Sequence, residues 1–247
     1  MNKQEAKRTV NASKILALLI IIVLSLSIPF NVLGLPAGVN IVSNTTEIPN
    51  ATPASSLTTA GGSFTTLILN GSFQNPRWKA YVGNISGILT LDDTSGYSIY
   101  DWNLSSINGE VYVSRNSSVS WSTIGCSTPA RIAAEQTVLH HNDTSVDSIN
   151  KTFNRSVHKS FYVSTTHIAN STCRSIATYV NDAKQAVSES AVFQEVLLTD
   201  NANIVYATLL EDNSIGFDNG RYDFQMIVPE DDTITTPTTY YFYAEIS

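Results

Sequence analysis

From residue 63 to the end, short apolar runs alternate with turn-forming clusters, and this pattern predicts strands more often than helices. Runs rich in β-branched and aromatic residues at 64–69, 78–82, 87–91, 97–102, 110–115 and 119–124 are expected strands of the first half. Asp92, Asp93, Thr94, Ser95 and Gly96 lie between two of them as a hairpin connection, with Gly96 free to take positive φ. Strands resume near Phe161. A second hairpin is expected from Val196, Leu197 and Leu198, a turn at 199–203 and a strand at 204–210, followed by strands at 222–228 and 240–246. In the last of these Phe242, Ala244 and Ile246 are expected to face inward, and Tyr241, Tyr243 and Glu245 outward. The string Ile88-Leu89-Thr90-Leu91-Asp92 with Ile99-Tyr100 loosely resembles Val196-Leu197-Leu198-Thr199-Asp200 with Val205-Tyr206, through duplication or through convergent turn chemistry.

The period changes between 128 and 153, where a short helical insertion is expected. Thr128 as cap and Pro129 at the first helical position precede Ile132, Ala133, Glu135 and Leu139 at helical spacing. A second helix is expected after Thr144, with Val146, Ile149 and Phe153 on one face. The predicted fold class is therefore mainly β, an antiparallel β-sandwich over 63–247 with this insertion, not alternating βαβ units.

Two segments precede that domain. Lys3, Lys7, Arg8 and Lys14 stand before an apolar run from Ile15 to Ile28, the order of an export signal. Cleavage before Leu35 is allowed by Gly34 and Val32; uncleaved, a stretch of about 20 apolar residues just spans a bilayer. Residues 1–34 thus read as a signal peptide or a membrane anchor; a pilin-type leader is disfavoured by Pro29. Residues 35–62 read as a flexible stalk, because Thr, Ser, Ala, Pro, Asn and Gly bury too little apolar area to offset ordering entropy.

Charge narrows the partners. The whole chain carries −7; residues 1–34 hold four of its fourteen basic and one of its twenty-one acidic residues, so the remainder carries about −10 and repels nucleic acid phosphates. Cys126 and Cys173 are the two cysteines, and an even pair in an oxidising compartment reads as one disulfide.

Asn-x-Ser/Thr occurs at Asn44, Asn50, Asn70, Asn84, Asn103, Asn116, Asn142, Asn150, Asn154 and Asn170, ten of the eighteen asparagines after residue 34. Random placement would give four or five, so the excess points to glycosylated export, with Asn50 impaired by Pro53. Crowding of Asn, Ser and Thr in turns accounts for part of it.

Catalytic signatures are missing: there is no Gly-x-Ser-x-Gly, no His-Glu-x-x-His and no phosphate-cradling glycine loop. His140, His141 and Asp143, with His158 and His167 farther on, read as a capped helix end more than as a metal or base site. Asp92 and Asp93, and Asp212 with Asp218, are weak candidates for Ca²⁺ in acidic turns; no other cofactor is expected. Trp78, Trp102 and Trp121 form either a stacking platform for sugar rings or part of a core.

The string from Trp78 through Lys79, Ala80 and Tyr81 to Asp93, the Tyr100-Asp101-Trp102 that follows, and the closing strings 222–230 and 240–243 resemble a family of uncharacterised archaeal exported, β-rich cell-surface proteins. The resemblance covers most of 63–247, implies an archaeal envelope setting and brings no catalytic residues. The expected function is that of an exported structural or interaction protein of the cell surface: an adhesin, envelope component or filament subunit. Its expected partners are the membrane through an uncleaved N-terminus, other surface proteins, itself or glycans. A carbohydrate-binding module is the alternative and an exported hydrolase a weaker one.

Overall fold

The computed structural model describes residues 34–50, 52–233 and 236–246, which build a mainly β, antiparallel protein with 32% strand and 8% helix. Six strands come first: β1 (Ala37–Gly38), β2 (Trp78–Gly83), β3 (Ile88–Asp92), β4 (Ser98–Asn103), β5 (Gly109–Ser114) and β6 (Gly125–Cys126). Helices α1 (Pro129–Val138) and α2 (Ile149–Thr152) follow. The second half holds β7 (Phe161–Val163), β8 (Thr166–Ile168), β9 (Ser175–Ala177), β10 (Gln194–Thr199) and β11 (Ile204–Leu209). The chain then forms β12 (Ser214–Ile215), β13 (Arg221–Tyr222), β14 (Phe224–Pro229) and β15 (Tyr241–Ile246).

One seven-stranded sheet runs in the order β1-β15-β5-β11-β10-β6, with β9 also paired to β10. Its centre is buried on both faces because β5, β10 and β11 carry large apolar residues at consecutive positions. Val111, Val113, Leu197, Ile204 and Tyr206 point to one side, where Ile132, Leu139, Ile149, Phe153, Met226 and Val228 meet them. Tyr112, Val196, Leu198, Val205 and Ala207 point to the other, against Phe161, Val163 and Ile168. Each such side chain, fully buried, contributes roughly 1.5–3 kcal/mol. Four two-stranded ribbons, β2–β14, β3–β4, β7–β8 and β12–β13, complete the described strands.

Local chemistry explains α1. Thr128 Oγ1 accepts from Arg131 N at 3.3 Å, and Pro129 occupies the first turn. At the other end His140 takes a left-handed φ of 54°, and the His140 and His141 amides donate to Thr137 and Gln136 carbonyls, closing the helix as a Schellman turn. Ile132, Glu135 and Leu139 are buried as the spacing predicts, but Ala133 is exposed. Buried Glu135 is held by Arg115 through two bonds of 2.7 and 2.6 Å. The second helix is a single turn capped by Ser148; Ile149 and Phe153 are buried, whereas Val146 lies outside it and exposed.

Cys126 and Cys173 are disulfide-bonded, with Cα atoms 4.9 Å apart across 47 residues of sequence. The bond ties β6 to the segment before β9 and encloses both helices. Closing a loop of that length stabilises the fold by about 4 kcal/mol in the chain-entropy model.

Several expectations need correction. Residues 64–69 form no strand, and every described residue from 37 to 76 is exposed. Strand propensity alone cannot order a segment to which no neighbouring strand offers hydrogen bonds. Residues 119–124 instead hold a 3-10 turn (Trp121–Thr123) before β6. Within the expected stalk, Ala37 and Gly38 pair with Ala244 and Tyr243 on the edge of β15. Glu245 is buried, not outward, because the Ser164 backbone N–H at the β7–β8 turn covers its carboxylate at 2.8 and 3.0 Å. The signal or anchor expected at 1–34 lies outside the described residues except for Gly34; among the described residues no helix is long and apolar enough to cross a membrane.

Candidate functional site

The β3–β4 ribbon projects from the fold as an arm, with its base well anchored. Ile85 and Ile107 pack on the core cluster, and the Ile85 amide donates to Asp223 Oδ2 at 2.9 Å. Gly109 closes the base at φ 123°; a Cβ there would sit 2.0 Å from the Glu245 carbonyl oxygen, so no other residue fits. At the tip, Asp93 Oδ1 accepts from the Ser95 and Tyr97 amides at 2.8 and 2.9 Å, and Gly96 adopts φ 83°. A register shift between Leu91 and Asp92 leaves Ile99 as the extra residue of a bulge.

Register sorts the arm into two unlike faces. Leu89 opposes Trp102 and Leu91 opposes Tyr100, so these four share one face. Ile88, Thr90, Asp101 and Asn103 share the other. All four members of the apolar face are exposed, and the Tyr100 and Trp102 rings meet edge to face at 4.9 Å. Neither long edge of the ribbon pairs with another described strand. A two-stranded ribbon alone in water is marginally stable, and among the described residues nothing covers the apolar face of this one.

The three tryptophans do not converge into a platform. Trp78 packs on Phe153 on one side of the central sheet and donates its Nε1–H to the Asp147 carbonyl at 2.7 Å. Trp121 packs on Tyr112 and Tyr243 on the other side. Trp102 alone stands on the arm. Uncovered apolar partners Leu89, Leu91 and Tyr100 were legible as period-two alternation, but their exposure was not.

Nor do the acidic turns bring three acidic side chains together among the described residues. Asp92 accepts from Ser98 Oγ at 2.5 Å; Asp218 accepts from the Gly220 amide and the Tyr222 hydroxyl at 2.9 and 3.0 Å. Among the described residues no three His, Cys, Asp or Glu side chains come together as a metal site, so Asp92, Asp93, Asp212 and Asp218 have no cluster to support Ca²⁺. The histidines are separately employed. His140 pairs with Asp231 at 3.0 Å, and buried His141 meets the Glu230 carbonyl at 2.7 Å. His158 is wholly buried: its Nε2 accepts from the Thr172 and Cys173 amides, so Nδ1 carries the proton toward the Lys159 carbonyl. Burial holds its pKa below the usual histidine value, and the ring is a neutral clasp beside the disulfide.

A buried carboxyl pair lies behind Trp121. Glu110 and Glu245 are cross-strand partners, and the Tyr112 hydroxyl reaches both at 3.3 Å. Burial first, then the Glu245 charge, pushes Glu110 up to about 8. Glu195 is also raised by burial; one oxygen accepts from the Ile227 amide at 2.9 Å and the other has no partner among the described residues. These groups are buried on strands of the seven-stranded sheet. A cleft of about 560 Å³ does open beside α1, but its Arg115 is committed to Glu135.

Of the sequons outside Asn50, Asn44, Asn70, Asn84, Asn103, Asn116, Asn142, Asn154 and Asn170 are exposed and Asn150 is half-buried. Asn103 lies on the polar face of the arm, so a sugar there would leave the apolar face bare. No family model matches the chain, and neither does any curated protein or solved structure.

Proposed function

We propose that this chain is an exported cell-surface structural or interaction protein, a glycosylated ectodomain whose working contact is the apolar face of the β3–β4 arm. Its scaffold is read as a sandwich, with the β2–β14 ribbon laid over one face of the seven-stranded sheet. The single observation that carries the function is the arm itself: four large apolar side chains on one face of an isolated ribbon, held out by an anchored base. Export agrees with the disulfide, the charge-then-apolar N-terminus and the sequon excess. An archaeal envelope setting is part of the proposal and rests on the resemblance of 78–93, 100–102, 222–230 and 240–243 alone.

The experiment has two readouts on the full chain. In producing cells, a membrane-impermeant label and a glycosidase mobility shift should both report a surface glycoprotein; recovery from cytosol with reduced thiols and bare asparagines would overturn export. In mild detergent, size-exclusion chromatography and negative-stain microscopy should show assemblies that Leu91→Asp and Trp102→Asp dissolve while circular dichroism stays native. Monodisperse monomers of the unaltered chain would remove the assembling function.

A second function, glycan binding, is favoured by the paired Tyr100 and Trp102 rings. Quenching of tryptophan fluorescence by envelope oligosaccharides, lost in Trp102→Phe, would select it over protein assembly.

A further inference from the structure

The molecule carries two unmet β features, and they complement each other. One is the arm, with free edges and a bare apolar face. The other is 64–69, Phe-Thr-Thr-Leu-Ile-Leu, a string with high strand propensity, no charge, no proline and no glycine. Phe64 is 94% and Ile68 97% exposed, and the segment has no strand partner among the described residues. Resting on the assembling function above, we propose that residues 64–69 of one copy add as a strand to a free edge of the β3–β4 arm of a second copy.

Edge, side-chain fit and charge support this pairing. An open ribbon edge is a template for strand addition, in which backbone bonds supply affinity and alternate side chains supply fit. The added strand would set Leu67 and Leu69, or Phe64 and Ile68, alongside Leu89, Leu91, Tyr100 and Trp102, widening one apolar face. Charge permits it: no charged residue occurs from Ile48 to Pro76, whereas the arm carries Asp92, Asp93 and Asp101 with no Lys or Arg between Ala80 and Ser114. An acidic arm repels acidic partners and anionic lipid but not this neutral segment.

Chain length sets the range. Residues 70–77 join the segment to β2, and eight residues span at most about 29 Å extended. Residues 75–247 scale to a radius of gyration of about 16 Å, so the segment reaches beyond that part of the chain but only to an adjacent copy. Within one chain both features remain bare, and a neighbour's strand would cover them. Each copy then has one donor and one acceptor, and repetition makes a head-to-tail array unless the rotation closes a ring.

Mixed cross-linking of full-length chains tests it. One population carries Leu67→Cys and the other Ile99→Cys; the native cysteines are already bonded to each other. Supporting results are a mixed disulfide dimer that appears only when both populations are combined, and loss of assembly in Ile68→Pro, which removes a ladder amide at an exposed site without unfolding the domain. A synthetic peptide of residues 63–69 should also bind the full chain and change Trp102 fluorescence. Assemblies that survive Ile68→Pro yet dissolve in Leu91→Asp overturn strand donation and leave the arm's assembling function standing. Cross-linking between two Ile99→Cys chains alone would indicate arm-to-arm pairing and overturn it as well. Absence of any assembly in the unaltered chain would overturn both.

Discussion

The β3–β4 and β10–β11 hairpins are built from similar strings and live in opposite environments. Leu89 is 43% exposed and its counterpart Leu197 0%; Tyr100 is 61% exposed and its counterpart Tyr206 0%. Both form antiparallel pairs joined by acidic turns, in which Asp93 and Asp200 accept backbone amides. What separates them is the second face. Val196 and Leu198 give β10 apolar residues on both sides, whereas Thr90 and Asp101 make one side of the arm polar. A two-sided apolar hairpin belongs at the centre of a sheet; a one-sided one suits a surface that a partner covers. Edges differ in the same sense: β5 pairs with β11, and β9 and β6 pair with β10, while the arm's edges are free.

That contrast breaks first at the disulfide. Replacing Cys126 and Cys173 by Ala should cost about 4 kcal/mol in denaturant unfolding and speed amide exchange in β10–β11. Arm amides, opening locally, should keep their rates; equal acceleration would mean that the arm belongs to the same cooperative unit. Next, Leu197→Ala should cost about 3 kcal/mol through a cavity, against less than about 0.5 kcal/mol for Leu89→Ala. Comparable losses would indicate that the arm face is covered within the monomer.

Acid–base behaviour sharpens the comparison further. Glu110 is raised by burial, so the folded state holds its proton over a range where the unfolded chain releases it. Its contribution is complete below about 4.5 and is lost as pH rises through about 8. Glu110→Gln should remove about 2 kcal/mol of that decline, discounted for water reaching the charged form. Urea midpoints between pH 5 and 9 measure it; an unchanged slope would place the titration elsewhere. The smallest effect is Gly96→Ala at positive φ, expected to destabilise the arm by about 1 kcal/mol. It should show as faster exchange in β3–β4 with no shift in the global midpoint.

Short-range chemistry was legible along the chain. The Thr128-Pro129 cap, the Gly96 and 199–203 turns and the short apolar runs of β3, β4, β10 and β11 each depend on residues a few positions apart. The cysteine pair was legible because two thiols leave one intramolecular partner each. Residues 64–69 misled because they have strand composition without a partner, and 119–124 because a turn at Trp121 interrupts the alternation. Glu245 was assigned to solvent by parity, yet the face it shares with Tyr112 is covered by a distant hairpin. At the candidate site, Trp102 was singled out for its ring, while the bare face around it was invisible until register and neighbours were known.

By itself the amino-acid order determined that 88–103 and 194–209 become hairpins, where α1 starts and which thiols can bond, since those outcomes follow from local geometry and composition. Only the tertiary structure decided that one hairpin is enclosed while the other stands out, that the three tryptophans part company and that two glutamates are shut away beside a tyrosine. Burial is a property of neighbours brought together from far along the chain, and alternation says which residues share a face without saying what, if anything, lies against it.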